Sequence, residues 1–325
     1  AFSERFFRVL HAATPDVEEA SLDEAYLDLA RCGLLYPSFP AAARDLKRRV
    51  EREIGVTVSV GAAPNKTLAK LATGLAKPAG FFEIRPGEER EYLRDLGIEA
   101  LPGIGPKAQV VLRLMNVHNI GQLWEMPRGT LRTLFGGSGD DIYLQSRGID
   151  SRPLIERTVP KSVSRETTFL EDLWDRRLLL AHLAYLCDRL TLALRQDRLY
   201  AHVIEVKARY ADFKTEIKRR LVLSPLQEMG RIYKVAEELF LDLVEGSRLA
   251  LRLVGVKAAD LVRVRPLALF EPYSERPEHL GGAIDKVRDK YGFGAVLTAR
   301  EKMLDGVYFF DPRRGYVLKT ASLTK

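Results

Sequence analysis

The chain has 325 residues, 46% of them hydrophobic and 29% charged, enough for two or three domains with their own cores and unlike a disordered polymer. No apolar run reaches the ~20 residues that span a bilayer, the N-terminus lacks a signal-peptide pattern, and Cys32 and Cys187 are too far apart to suggest a disulfide framework or a metal knuckle. A cytoplasmic protein is the default. Residues 1–99 hold 14 Lys and Arg against 16 Asp and Glu, whereas the remainder holds 37 against 28, a basic excess that suits a nucleic-acid partner or a plainly soluble surface equally well.

In chain order, residues 2–12, FSERFFRVLHA, have helical spacing. EASLDEAYLDLA (19–30) follows as extended segments around an acidic turn. ARDLKRRVEREIG (43–55) predicts a helix stopped by Gly55, and GVTVSVGAA (55–63) alternates Val with small residues as a strand does. The helix NKTLAKLATGLA begins at Asn65 or just before it and ends at the Lys77-Pro78-Ala79-Gly80 turn. These elements form a mixed α/β layer.

From Leu101 the texture changes to short helices broken by glycines, which predicts a small all-α domain, and the two prolines of 152–160 mark a linker. A strand (KSVSRETTF), a helix (172–197), two strands (AHVIEVKARY and FKTEIKRRLVL), a helix (228–244) and a strand (LALRLVGVKA) come next. The order β-α-β-β-α-β predicts a split layout with a four-stranded sheet. Basic residues alternate along its strands, at Lys207 and Arg209 and again at Lys214, Lys218 and Arg220. Beyond Pro266 lies a tail with one clear helix, GAIDKVRDKYG. The fold class is α+β and multidomain.

Three groups of residues carry chemistry. LPGIGPK (101–107) has the pattern of a helix–hairpin–helix, in which Gly103 and Gly105 let backbone N–H groups approach a phosphate and Lys107 follows. A plain connecting turn is the competing reading, and the second glycine-rich hairpin, LFGGSGDD, favours DNA. Lys66, Lys70 and Lys77 form either a solvated row or a phosphate-binding one. Asp23 and Glu24 are weak evidence alone, yet two hard carboxylates beside lysines suit Mg²⁺ shared with substrate phosphates.

SLDEAYLDL, TVSVGAAPNKTLAKLATGLAKPAG and LPGIGPK, in that order, resemble the Y-family translesion DNA polymerases, bacterial DNA polymerase IV type. The resemblance continues through KSVSRETTF and LRLVGVKAADL to about residue 297. It implies a partial palm (1–98), a helix–hairpin–helix thumb (99–157), a little-finger domain (158–265) and a tail (266–325). It also implies template-directed DNA synthesis with two Mg²⁺ ions, primer–template DNA and deoxynucleoside triphosphates. Asp23 and Glu24 become the metal-binding catalytic carboxylates and Lys77 a triphosphate ligand. Gly103, Gly105, Lys107, Ser162, Ser164 and Arg165 become DNA contacts.

AFSERFFRVL resembles the family just after its fingers domain, so a third carboxylate and the nucleotide-clamping residues are expected outside the numbered chain. Leu267, Leu269 and Phe270 resemble the short peptide that docks on the sliding clamp, with Pro266 where glutamine is usual; an apolar cluster packing the tail is the alternative. Two rival functions stand beside polymerisation: a non-catalytic recruitment protein of the same fold, and a fragment or module that only binds DNA.

Overall fold

In the computed structural model, which describes residues 2–30, 36, 38–155, 159–264 and 276–318 (276–279 without their side chains), the chain divides into two units, Ala1–Arg157 and Thr158–Lys325. The first unit opens with α1 (Phe2–His11), β1 (Val17–Glu19), β2 (Ala25–Leu27), α2 (Phe39–Ile54), β3 (Val60–Ala62), α3 (Lys66–Leu75) and β4 (Phe81–Glu83). Helix α2 starts four residues before the expected Ala43. The Ser38 hydroxyl accepts from Ala41 N–H, and Pro40 in the first turn lacks only an N–H that would have no helical partner. Gly55, at φ +80°, ends the helix as expected. Asn65 caps α3 through Leu68 N–H, again as the sequence suggests.

Of the expected strand 55–63, only Val60–Ala62 pairs, in parallel with Phe81–Glu83. Gly61 lies so close to α3 that a Cβ there would meet Thr73 N at 2.3 Å and Ala69 O at 2.4 Å. That strand–helix contact demands glycine. β1 and β2 form a separate hairpin of three antiparallel pairs, Val17 with Leu27, Glu18 with Tyr26 and Glu19 with Ala25. Phe7, Leu10, Val17, Val50 and Ile54 pack together beneath it.

The helices α4 (Glu89–Arg94), α5 (Pro106–Leu114), α6 (Ile120–Leu123), α7 (Arg128–Phe135) and α8 (Gly137–Ser146) complete the unit. Leu93, Leu112, Leu123 and Leu131 share one core with Leu68 and Leu71 of α3. The helical segment therefore has no apolar core separate from the α/β layer.

The second unit runs β5 (Ser162–Leu173), α9 (Arg176–Gln196), β6 (Tyr200–Tyr210), β7 (Thr215–Leu226), α10 (Met229–Val244) and β8 (Leu251–Val262). All three strand pairings are antiparallel, in the order β5-β8-β6-β7. Alternate residues, among them Val163, Ile204, Val206, Val254 and Val256, are buried with α9 and α10 on one face. α9 starts later than expected because Asp175 caps it, accepting from the N–H groups of Arg177 and Leu178. Beyond the sheet, α11 (Arg276–Tyr291) and the hairpin of β9 (Phe310–Asp311) and β10 (Gly315–Tyr316) complete the described elements. Residues of this tail, Phe293, Leu304 and Tyr316, pack on α9 at Ala181 and Tyr185. Among the described residues, no helix is long and apolar enough to cross a membrane. Cys32 and the residues that resemble a clamp-docking peptide, Leu267, Leu269 and Phe270, lie outside the described residues.

Candidate active site

The β1–β2 hairpin carries Asp23 and Glu24 at its tip, where the Glu24 carbonyl accepts from the N–H groups of Ala20 (2.9 Å) and Ser21 (3.1 Å). All four residues from Ser21 to Glu24 are exposed. The Ser21 hydroxyl donates to Asp23 Oδ1 at 2.6 Å, and Ser3 Oγ of α1 donates to the Leu22 carbonyl at 2.7 Å. The Lys70 ammonium donates to Glu24 Oε1 at 2.6 Å. Each carboxylate thus keeps its second oxygen clear of the hydrogen bonds that fix the tip.

A cavity of about 940 Å³ in the first unit is lined by Asp23, Glu24, Lys70 and Lys77 together with apolar side chains such as Phe6 and Leu46. The fold brings these two carboxylates and two of the three lysines to one space, although they come from segments some 50 residues apart. Lys77 follows α3, is exposed, and has no ion-pair partner among the described residues. Lys66 behaves differently. Its ammonium donates to both oxygens of Glu18, at 2.8 and 2.6 Å, and the two side chains are only 13% and 14% exposed. It is therefore no free member of a phosphate-binding row.

Sequence reasoning missed Glu18 and Asp150, because Lys66 and Thr67, which join them to α3, are distant along the chain. Asp150 Oδ2 accepts from Thr67 N–H and Oγ1, and Arg152 pairs with the same carboxylate. The Arg152 guanidinium, with the Thr67 hydrogen bonds, holds the Asp150 carboxyl far below the usual carboxylate range. The Gly-Ile-Asp-Ser-Arg run at 148–152 is the one local hint of a turn-forming, paired acid.

Gly103, Gly105 and Lys107 sit together at the start of α5. Gly103 has φ +94°, Gly105 directly precedes the helix, and neither has an atom within 4 Å of a notional Cβ. A ligand backbone has open access to this turn. In the second unit, Ser162 and Ser164 lie on the face of the sheet opposite α9 and α10, in register with Ala259 and Lys257. Arg165 does not join them. Strand alternation turns it to the helix side, where its guanidinium donates to the Ser164 carbonyl, and burial lowers its pKa.

The same alternation sorts the basic residues. Lys207 and Lys257 lie on the helix-free face, paired with Glu166 (2.7 Å) and Glu205 (3.1 Å). Lys218 and Arg220 instead point to α10 and pair with Asp242 and Glu238, so these basic residues of β7 lie on the opposite face of the sheet from Lys207 of β6.

Comparison with known proteins shows the family. Models of the impB/mucB/samB family match residues 1–74, and of its C-terminal domain residues 160–269; the thumb domain of DNA polymerase-iota matches residues 99–150. DNA polymerase IV of Dehalococcoides mccartyi is 34% identical over 307 residues, covering 94% of this chain and 79% of the relative. That of Caulobacter vibrioides is 35% identical over 302 residues, covering 92% and 74%. Among solved structures, the Y-family DNA polymerase chimera Dbh-Dpo4(243-245)-Dbh superimposes with a TM-score of 0.72 at 27% identity, covering 80% of this chain and 75% of that one. An insertion ternary complex of Dbh DNA polymerase gives 0.57 at 26% identity, with the same coverage. The chain belongs to the Y family of translesion DNA polymerases, with bacterial DNA polymerase IV among its relatives.

Proposed function

We propose that the chain works in template-directed DNA synthesis past damaged bases, with Asp23 and Glu24 as carboxylate ligands of two Mg²⁺ ions. The observation that carries this reading is the shared cavity, which unites two exposed carboxylates with the exposed ammonium of Lys77. The donor set fits a hard divalent cation, because it offers carboxylate oxygens and no sulfur or imidazole. When bound, such ions supply charge neutralisation at a primer hydroxyl and a triphosphate.

The chain's own residues do the rest. The Ser21 hydroxyl and the Ala20 and Ser21 amides hold the carboxylates outward at the hairpin tip. Lys77 binds the triphosphate of the incoming nucleotide as a point charge, so Lys77→Ala raises KM for nucleotide more than it lowers kcat. Gly103, Gly105 and Lys107 bind the duplex backbone without reading sequence, within a thumb of residues 99–157. Residues 158–265 form the little finger, whose helix-free face offers Ser162 and Ser164 to DNA. Arg165, next to Ser164 on β5, was expected as a third DNA contact, but its side chain lies on the helix side. Residues 266–325 are the tail, in which Leu267, Leu269 and Phe270 form a docking peptide for the sliding clamp. The protein works on DNA in the cytoplasm.

The test is primer extension by the full-length protein on templates with and without a blocking base lesion. Extension that follows the template and continues past the lesion supports the proposal. DNA binding without any extension would favour a recruitment role.

A further inference from the structure

Glu18 lies on β1, five residues before Asp23, and its carboxylate is the meeting point of three segments. Lys66, the first residue of α3, donates to both its oxygens. Ile155 N–H donates to Oε2 at 2.8 Å. The Lys66 ammonium also lies 5.1 Å from the ring centroid of Tyr26, the cross-strand partner of Glu18, so one cation grips both strands of the hairpin. A second set of bonds ties the start of α3 to the same segment. Asn65 Nδ2 donates to the Gly148 carbonyl at 2.8 Å, and Thr67 donates twice to Asp150.

The hairpin needs such a tie. Three residue pairs in a two-stranded ribbon are marginal by themselves. Its tip is exposed; the apolar contacts of Val17 and Leu27 hold its base, and toward the tip only the small side chain of Ala25 packs on the same cluster. A largely buried bidentate ion pair fixes orientation more strictly than an exposed contact does, and losing one partner leaves the other charge uncompensated.

We infer that Glu18 and Lys66 are a positioning pair, which sets the pose of the Asp23–Glu24 tip relative to α3 and to segment 148–155. The inference rests on the reading of Asp23 and Glu24 as the metal-binding carboxylates. Neither Glu18 nor Lys66 lines the cavity that Asp23, Glu24 and Lys77 share. They act through the hairpin, so their loss should appear in the catalytic step and in divalent-cation affinity, not in nucleotide or DNA binding.

The experiment compares Glu18→Gln, Lys66→Met and Lys66→Arg with Asp23→Asn in the full-length protein. Single-turnover extension gives kcat and KM, and electron paramagnetic resonance gives Mn²⁺ affinity. Glu18→Gln is nearly isosteric and can still accept from Ile155 N–H, so the fold is retained. The first two variants change local charge in opposite directions. An effect of the electrostatic field alone would therefore move them oppositely, whereas mispositioning lowers kcat in both.

The expected result is a fall in kcat of about ten- to a hundredfold in both, weaker Mn²⁺ binding, KM for nucleotide near wild type, and recovery in Lys66→Arg. If Asp23→Asn is inactive while Glu18→Gln and Lys66→Met both keep wild-type kcat and Mn²⁺ affinity, or shift in opposite directions, the positioning role is wrong and the carboxylate assignment stands. If Asp23→Asn itself extends primers and binds Mn²⁺ normally, the assignment beneath the inference has failed.

Discussion

Lys70 donates a 2.6 Å hydrogen bond to Glu24 Oε1, joining the middle of α3 to the tip of the carboxylate hairpin. The side chains are 41% and 48% exposed, so the pair is weak and a divalent cation can displace the ammonium. Lys70→Met removes that competitor. The Mg²⁺ concentration for half-maximal extension should then fall roughly two- to fivefold, the range an exposed ion pair allows. A magnesium titration of extension rate checks it, and a rise in the half-saturating concentration would show that Lys70 supports the site.

The two glycines of the α5 turn should separate stability from binding. Gly103 has φ +94°, so Gly103→Ala forces a side chain into the left-handed region and should cost roughly 1–2 kcal/mol of stability. Gly105 has φ −77°, and nothing lies within 4 Å of the added methyl. Gly105→Ala should leave the melting temperature unchanged and weaken DNA binding, because the methyl occupies space that a phosphate would approach. Paired melting curves and duplex-binding isotherms decide this. Unchanged binding in Gly105→Ala would make the turn a simple connector.

The tail should make the second unit sensitive to pH. The Glu301 side chain is fully buried, and its Oε1 has no hydrogen-bond partner among the described residues. Burial, with the nearby Asp188 carboxylate, raises its pKa from 4.5 to about 7. The folded state thus keeps a proton that the unfolded state releases, and this contribution to stability is full below pH 4.5 and lost as pH rises through about 7. His182, buried against Phe169 and Tyr308, has its pKa lowered to about 4 and acts in the opposite sense, costing stability as pH falls below 6.5. Comparing wild type with Glu301→Gln cancels His182. The variant should match wild type near pH 5 and melt at a higher temperature by pH 8. A difference that stays flat across this range would contradict a buried, proton-holding Glu301.

Local signals were readable in the sequence where short-range chemistry decides the structure. Asn65 and Gly55 mark helix ends because capping involves neighbours three or four residues away. Alternation showed the strands of the second unit, but it could not say which face meets the helices. Arg165, Lys218 and Arg220 lie on the helix side, a placement that only the packing of α9 and α10 decides. The close approach of Gly61 to α3 is a contact created only by the fold. Asp23 and Glu24 were recognised through a motif. Glu18 was not, because its partner Lys66 is 48 residues away and a lone Glu in Val-Glu-Glu looks like any solvated acid.

The central claim is that the hairpin carboxylates hold the metal ions of a template-directed polymerase. The most direct measurement is single-turnover incorporation of one nucleotide by Asp23→Asn and Glu24→Gln in the full-length protein, with primer–template affinity taken on the same samples. If these carboxylates hold the metal ions, incorporation falls by about a hundred- to a thousandfold or more while DNA affinity stays near wild type, since the duplex contacts proposed above lie on other segments. Incorporation by either variant at a rate close to wild type would contradict it.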